Sequence, residues 1–334
     1  MLNKYFKKSK AIPIDKFVEN VLYDKKKGYY TSKIPFGYKG DFLTAPGISN
    51  LFSEMIGIWL ITAWNTLRKP KEFNLVELGP GDGSLTKILL KIFQKFSTFN
   101  QATNIFLYEK SNLLKKLQKK NINNLKVKWI KNFTSLKKGP VIFFGNEFLD
   151  ALPIKQFKKI NNKFFEKYVV YKDNQINFLF KKAIKKELAK LKSFKLLNNS
   201  GLIEYPEYGF REMSVICEKV KKLNGGILFI DYGYKYQKNI NSLQSVIRHK
   251  LNDVKKNLGN ADITSLVNFE LYKDYFNSNN LIVEKIISQS KFLQKLGIVQ
   301  RFKIASNNMN DKEKSDLYSR LKRLVDPSMM GENF

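Results

Sequence analysis

With 334 residues, 43% of them hydrophobic, the chain can bury a large core, yet no apolar run approaches the roughly 18 residues of a membrane span. One cysteine, Cys217, excludes an internal disulfide, and one histidine excludes the usual Cys/His zinc sites, so no metal is expected. The net charge of +31, from 60 Lys+Arg against 29 Asp+Glu, is spread along the whole chain among abundant Asn, Ile and Phe; it reads as surface background, weighs against a dedicated nucleic-acid site, and leaves a moderate attraction to acidic surfaces, anionic membranes among them.

The start, "MLNKYFKKSKAIPIDKF", is basic without the apolar core of a secretory signal, and the expectation is a cytoplasmic protein. "PIDKFVENVLYD" has helical spacing at Ile14, Phe17, Val18, Val21 and Leu22. A Gly- and Pro-punctuated loop follows, and then an apolar helix with Ser49 as N-cap. From residue 74 the pattern alternates. "NLVELG", "NIFLYEK", "LKVKWI" and "VIFFGN" read as strands, and "SLTKILLKIFQKF" and "SNLLKKLQKK" as helices. Such alternation implies a parallel sheet with helices on both faces. "QFKKINNKFFEKYVVYKDNQINFLFKK" breaks the rhythm and reads as antiparallel strands turning at Asn161-Asn162 and Asp173-Asn174. "YGFREMSVICEKVKKL" is a helix with Cys217 on its core side, and "GGILFIDYG" a fifth buried strand. Helix and strand segments, "VEKIISQSKFLQKLG" and "DKEKSDLYSRLKRLV" among them, close the chain.

The loop "VELGPGDGSL" carries the first chemical signal. A strand ends at Glu77, glycines 79, 81 and 83 form the turn, and a helix starts near Ser84. Glycines are needed where backbone takes unusual dihedrals or presses against a ligand. A dinucleotide loop would want a third glycine where Ser84 stands, and Asp82 would repel its pyrophosphate. S-adenosylmethionine carries a positive amino group and sulfonium, which acids at the strand end and in the loop suit better. Glu109, ending the second strand, stands where an acid accepts hydrogen bonds from ribose hydroxyls, a location common to both ligand classes. A tight turn with no ligand is the structural alternative.

"GNEFLDALP" follows the fourth strand, which should lie beside the first. Asn146, Glu147 and Asp150 should then face the same crevice as the glycine loop. If Glu147 begins a helical turn, Asp150 at i+3 shares its side. Two carboxylates beside a methyl donor can hold a guanidinium through its planar fork. A helix cap and a surface ion pair explain the same two residues structurally. His249, in "SLQSVIRHKLNDV", is either a proton acceptor or a surface residue between Arg248 and Lys250. Asp231, closing "ILFIDYG", is a strand-end carboxylate for which a structural bond to backbone serves equally well.

Several stretches together resemble the MidA-like methyltransferases, whose members include a mitochondrial complex I assembly factor with protein arginine methyltransferase activity. The matching pieces are "GYYTSKIPFGYKGDFLTAPGISNLFSEMIGIW", "VELGPGDGSL", "NEFLDALPIKQF", "GGILFIDYG", "SLQSVIRHK", "ADITSLVNF" and "LVDPSMMGENF". They run in family order over nearly the whole chain. The resemblance implies a Rossmann-like methyltransferase that uses S-adenosyl-L-methionine to modify arginine on a partner protein, with a respiratory complex I subunit as candidate. It also implies that Asp41 and Thr44 of "GDFLTAP" help line the site. One departure is Gly47, where the family usually has Glu.

The expectation is therefore an α/β protein with a Rossmann-like class I methyltransferase sheet. Residues 1–70 form an N-terminal helical cap and active-site loop, and 71–334 the methyltransferase domain, with a β-rich insertion over about 154–200. Glu147, Asp150 and His249 are the catalytic candidates. Glu77, Gly79, Gly81, Gly83, Glu109 and Asn146, with Asp41 and Thr44, are the cofactor candidates. An RNA methyltransferase and a non-catalytic assembly factor that keeps the fold are the alternatives left open.

Overall fold

The structure, a computed structural model, describes residues 11–37, 40–41, 44–235 and 239–332. Phe42 and Leu43 of the "GDFLTAP" loop and the last two residues of the terminal "GENF" lie outside the described residues.

Helix α1 (Asn50–Thr66) opens at Ser49, whose side chain accepts the Leu51 N–H as expected of an N-cap. Strand β1 (Phe73–Leu78), helix α2 (Ser84–Phe93), strand β2 (Thr103–Tyr108), helix α3 (Asn112–Ile122), strand β3 (Val127–Ile130) and strand β4 (Val141–Asn146) follow, and β5 (Gly226–Ile230) comes after a long excursion. The five strands pair in the order β5-β4-β1-β2-β3, and every pairing is parallel. The fourth strand does lie beside the first, Val76 opposite Phe143. β1 is buried along its whole length, and β4 up to Gly145, the continuous apolar habit of a sheet covered on both faces.

The chain groups into two compact units. One holds Ile34–Phe148, Ile216–Tyr232 and Glu284–Phe334 within the described limits, and with them the parallel sheet. Its core packs α1 and α2 on the sheet around an aromatic knot. The Phe99 ring meets Phe93 at 4.8 Å and Trp64 at 5.4 Å. A Cβ on Gly57 would come within 2.9 Å of Ile92 Cδ1, so this residue lets α1 approach α2 closely. Cys217 is buried in the helix Glu207–Leu223. No strand forms at "VEKII"; the helix Gln289–Lys295 follows directly.

The other unit holds the described residues of Met1–Lys33, Leu149–Val215 and Gly233–Val283. Its antiparallel sheet is built on the long strand Lys163–Lys172, joined to Lys155–Ile160 and Gln175–Lys182 by two-residue turns. Asn161-Asn162 and Asp173-Asn174 have φ of 46°, 57°, 52° and 57°. These are the paired left-handed residues of hairpin turns, and Asn and Asp tolerate them best after glycine. The helix Ile14–Tyr23 buries Phe17, Val21 and Leu22 on this sheet. The compact units do not follow a boundary at residue 70, because Ile12–Pro13 pairs with Tyr168 and Val169.

Candidate active site

β1 delivers Glu77 and Leu78 to the glycine loop. Gly79, Gly81 and Gly83 all have positive φ (61°, 56° and 84°). A side chain at Gly79 would also put Cβ 2.9 Å from the Phe148 ring, and one at Gly81 would meet the Phe36 ring at 3.3 Å. The loop is pinned from α3. Gln118 Nε2 donates to the Gly81 carbonyl at 2.8 Å, and Asn121 Nδ2 to the Asp82 carbonyl at 2.9 Å. Asp82 Oδ1 accepts the Ser84 N–H at 2.9 Å, so this acid shapes the entry to α2.

Glu77 is buried, and Thr86 Oγ1 donates to its Oε2. Burial pushes its carboxyl up to about 8; the charges of Asp82 and Glu109 add to this and the Thr86 bond opposes it. Glu109 is also buried. Its Oε1 accepts the Ser111 N–H at 2.7 Å and its Oε2 the Gln118 amide at 3.1 Å. Burial raises its pKa, with those bonds opposing. Trp129 Nε1 donates to Gln118 Oε1 at 2.9 Å, which fixes the amide orientation. Gln118 is fully buried, yet sequence reasoning missed it. The one available signal was its helical spacing from Leu114 and Ile122.

β4 ends at Asn146, and the chain turns sharply. Glu147 has φ 52°, a left-handed conformation rare for a long side chain. Hence no helical turn starts here, contrary to the sequence expectation. The Glu147 N–H donates to the Ile230 carbonyl at 2.8 Å. Its Oε1 accepts Asn146 Nδ2 at 3.1 Å and the Ala45 N–H at 3.4 Å. Asn146 Oδ1 is buried with no partner among the described residues. Phe148 stacks on Phe229, centroids 6.2 Å apart, and the same ring covers Gly79. Asp41 is buried, and Thr44 caps the short helix Ala45–Ile48, its carbonyl accepting the Gly47 and Ile48 N–H groups. One unit thus brings together Glu77, the glycine loop, Glu109, Asn146 and Glu147.

Asp150 belongs to the other unit. It is buried in a turn closed by the Leu152 N–H on the Leu149 carbonyl, and its own carbonyl accepts the Ser265 N–H at 3.1 Å. In that unit Tyr30 Oη donates to Asp262 Oδ2 at 3.0 Å. Burial, then the charges of Asp262, Tyr23 and Asp150, hold the Tyr30 phenol well above its ordinary value. His249 is exposed at a hairpin tip between Gln244–Ile247 and Lys250–Asn252, with φ of 50° and 61° at Arg248 and His249. Among the described residues of its own unit, nothing buries it. Asp231 is buried, and its Oδ1 accepts the Tyr232 N–H at 3.0 Å.

The groups gathered around the glycine loop are acceptors: two buried carboxylates and an unpartnered amide oxygen. That set fits a ligand bearing hydroxyls and a positive amino group, as S-adenosyl-L-methionine does, and not a pyrophosphate. Sheet order, glycine loop and strand-end acids together define a Rossmann-like protein of the nucleoside-binding methyltransferase class. A profile of an S-adenosyl-L-methionine-dependent methyltransferase family matches residues 55–286, and the chain belongs to that family. S-adenosyl-L-methionine is accordingly its methyl donor.

The human mitochondrial protein arginine methyltransferase NDUFAF7 is 28% identical, over 98% of this chain and 80% of that protein. The Caenorhabditis elegans homologue of that name is 30% identical over 80% of this chain and 68% of its own. A crystal structure of a Burkholderia thailandensis protein bound to S-adenosyl-homocysteine superposes with a TM-score of 0.83, covering 97% of this chain and 86% of the other at 22% identity; it supports the fold. These comparisons correct one expectation. The curated relatives from human, fruit fly, mouse and zebrafish are all mitochondrial proteins, which overturns the cytoplasmic reading. Lack of an apolar signal core speaks only to secretion, and mitochondrial addresses are basic and amphipathic.

Proposed function

We propose that this methyltransferase modifies arginine on a partner protein. The observation that carries the reading is the Glu147 carboxylate, held at a left-handed elbow by Asn146 Nδ2 and the Ala45 N–H, immediately after β4. The names of the relatives support the same acceptor. When bound, S-adenosyl-L-methionine supplies an electrophilic methyl group on a sulfonium. Glu109 accepts from its ribose hydroxyls, Glu77 faces its ammonium, Asn146 Oδ1 accepts a further hydrogen, and Gly79, Gly81 and Gly83 let backbone approach it. Glu147 accepts guanidinium N–H groups and draws the positive charge toward itself. The opposite nitrogen is then the better nucleophile, and site geometry supplies proximity and orientation. The proton lost by the methylated nitrogen, which faces away from Glu147, passes to solvent. Asp41 and Thr44 are carried as lining residues on the family resemblance, and Asp150 is left out, because the helical turn that would have set it beside Glu147 does not form. His249 stays outside this reading because it is exposed. A respiratory complex I subunit is the candidate partner, on the family resemblance.

The test is transfer of labelled methyl from S-adenosyl-L-methionine into cell extract, with and without nuclease, followed by mass spectrometry. Nuclease-resistant label recovered as methylarginine is the expected result. Label confined to RNA would overturn the proposal.

A further inference from the structure

The strand Gln175–Lys182 pairs with Lys163–Lys172 on one side only among the described residues. Its hairpin has a two-residue turn, so Lys172 and Gln175 form the closing hydrogen-bonded pair and every second residue bonds inward thereafter. The Ala183 N–H on the Phe164 carbonyl, at 2.8 Å, fixes that alternation at the far end. The backbone N–H and C=O groups of Phe178, Phe180 and Lys182 therefore point away from the sheet. An unpaired, partly apolar edge is a template for a further strand.

The side chains say what strand fits. Phe178 and Phe180 share one face, and each is 37% exposed. Beyond the strand, Ile184 is 61% exposed. Lys167 Nζ lies 4.2 Å over the Phe178 ring. Lys172, Lys181, Lys182, Lys185 and Lys186 are all exposed around the edge. The acids between positions 155 and 195 are Glu166, Asp173 and Glu187. Glu166 and Glu187 are already committed to Lys155 and Lys190. A second copy of this chain would bring the same lysines to the edge and be repelled.

We propose that this free edge is a docking site for an extended acidic segment of a partner protein, added to the sheet as a further strand. Main-chain hydrogen bonds to Phe178, Phe180 and Lys182 hold it, apolar residues of the segment lie on the two phenylalanines, and its carboxylates meet the lysines. The surface is independent of methyl transfer and stands whatever the acceptor proves to be.

The test uses the full chain and a fluorescein-labelled peptide of about ten residues, alternating Glu and Val, read by fluorescence anisotropy. The peptide is expected to bind, and the same peptide with Lys for Glu is not. Phe180→Pro removes an outward N–H without touching the inward ladder; it should weaken binding by about tenfold or more. Where that variant melts lower than the wild type, N-methylating every peptide residue tests the same backbone bonds on the unaltered protein, again with about a tenfold loss expected. Equal affinity for the methylated peptide would reduce the patch to bulk electrostatics and overturn the proposal. Tighter binding of an oligouridine, or of phosphatidylglycerol vesicles, would assign the patch to RNA or membrane and overturn it equally.

Discussion

Two clusters of carboxylates, one in each unit, are handled in opposite ways. Around the antiparallel sheet, Lys155 Nζ stands 2.6 Å from Glu166, 3.7 Å from Glu207 and 3.8 Å from Asp15. Lys190 pairs with Glu207 and, at 3.2 Å, with Glu187. Around the glycine loop, Glu77, Glu109 and Glu147 are held by neutral donors: a threonine hydroxyl, glutamine and asparagine amides, and backbone N–H groups. Burying a charge costs heavily unless a counter-charge compensates it. The first cluster supplies its own cations and is structural. The second is oriented through uncharged donors, and Glu77 in it keeps its proton, an arrangement that suits a ligand bringing its own positive charge.

The largest expected effect lies at the elbow. Glu147→Gln keeps the shape and both neutral contacts in place but removes the charge. Methyl transfer should fall by about a thousandfold, or about 4 kcal/mol of transition-state stabilisation. Calorimetry with S-adenosyl-L-methionine should show affinity within about threefold, a uniform-binding control. Equal loss of cofactor affinity would merge the acceptor and cofactor roles and break the assignment. In the other unit, Lys155→Met leaves Glu166 and Asp15 without their cation and Glu207 with Lys190 alone. That should cost about 3–5 kcal/mol in denaturant unfolding, with cofactor affinity unchanged. A cofactor defect as large as the stability defect would blur the line between structural and functional charge.

A smaller effect is linked to pH. Unfolded Glu77 ionises near 4.5, whereas the folded carboxyl keeps its proton up to about 8. Between those values the native state binds the extra proton. Its contribution therefore favours folding below pH 4.5, weakens as pH rises by up to about 1.4 kcal/mol per unit, and levels off above 8. An ammonium bound beside Glu77 favours the ionised form. Binding below pH 8 must then release a proton, and affinity should rise toward about tenfold per unit between pH 6 and 8. Glu77→Gln should flatten that slope. A slope that survives in the variant would move the titrating group elsewhere.

How far these features were legible beforehand follows from how local they are. The parallel sheet and its loop are written in adjacent residues: an apolar run, glycines, then a helical period. The turns at Asn161-Asn162 and Asp173-Asn174 were legible because asparagine and aspartate mark left-handed backbone. Glu147 carries no such mark, since glutamate ordinarily avoids φ 52°; its contacts include non-local ones, its N–H on the Ile230 carbonyl and the Ala45 N–H on its carboxylate, which a local reading does not see. Gln118 lies in the lysine-rich stretch "LLKKLQKK", which reads as a solvated face until α3 is seated on the glycine loop. The pairing of Ile12–Pro13 with Tyr168 and Val169 is non-local, so a boundary near residue 70 was natural to draw.

The smallest expected effect tests the one remaining candidate. His249 sits at φ 61° on an exposed turn, where a residue is chosen for tolerance of left-handed backbone as much as for its chemistry. His249→Asn preserves that tolerance and removes the imidazole, so the hairpin should survive with a stability change inside about 0.5 kcal/mol. Turnover should change by less than about twofold, because a general base must reach the proton it takes and exposure leaves it free in water. Comparison with Glu147→Gln under the same conditions makes the contrast quantitative: one carboxylate oriented by neutral donors against one ring with no burial around it. A tenfold or greater loss in the folded His249 variant, with an altered pH profile, would restore the imidazole as proton acceptor and extend the functional charges beyond the glycine-loop unit.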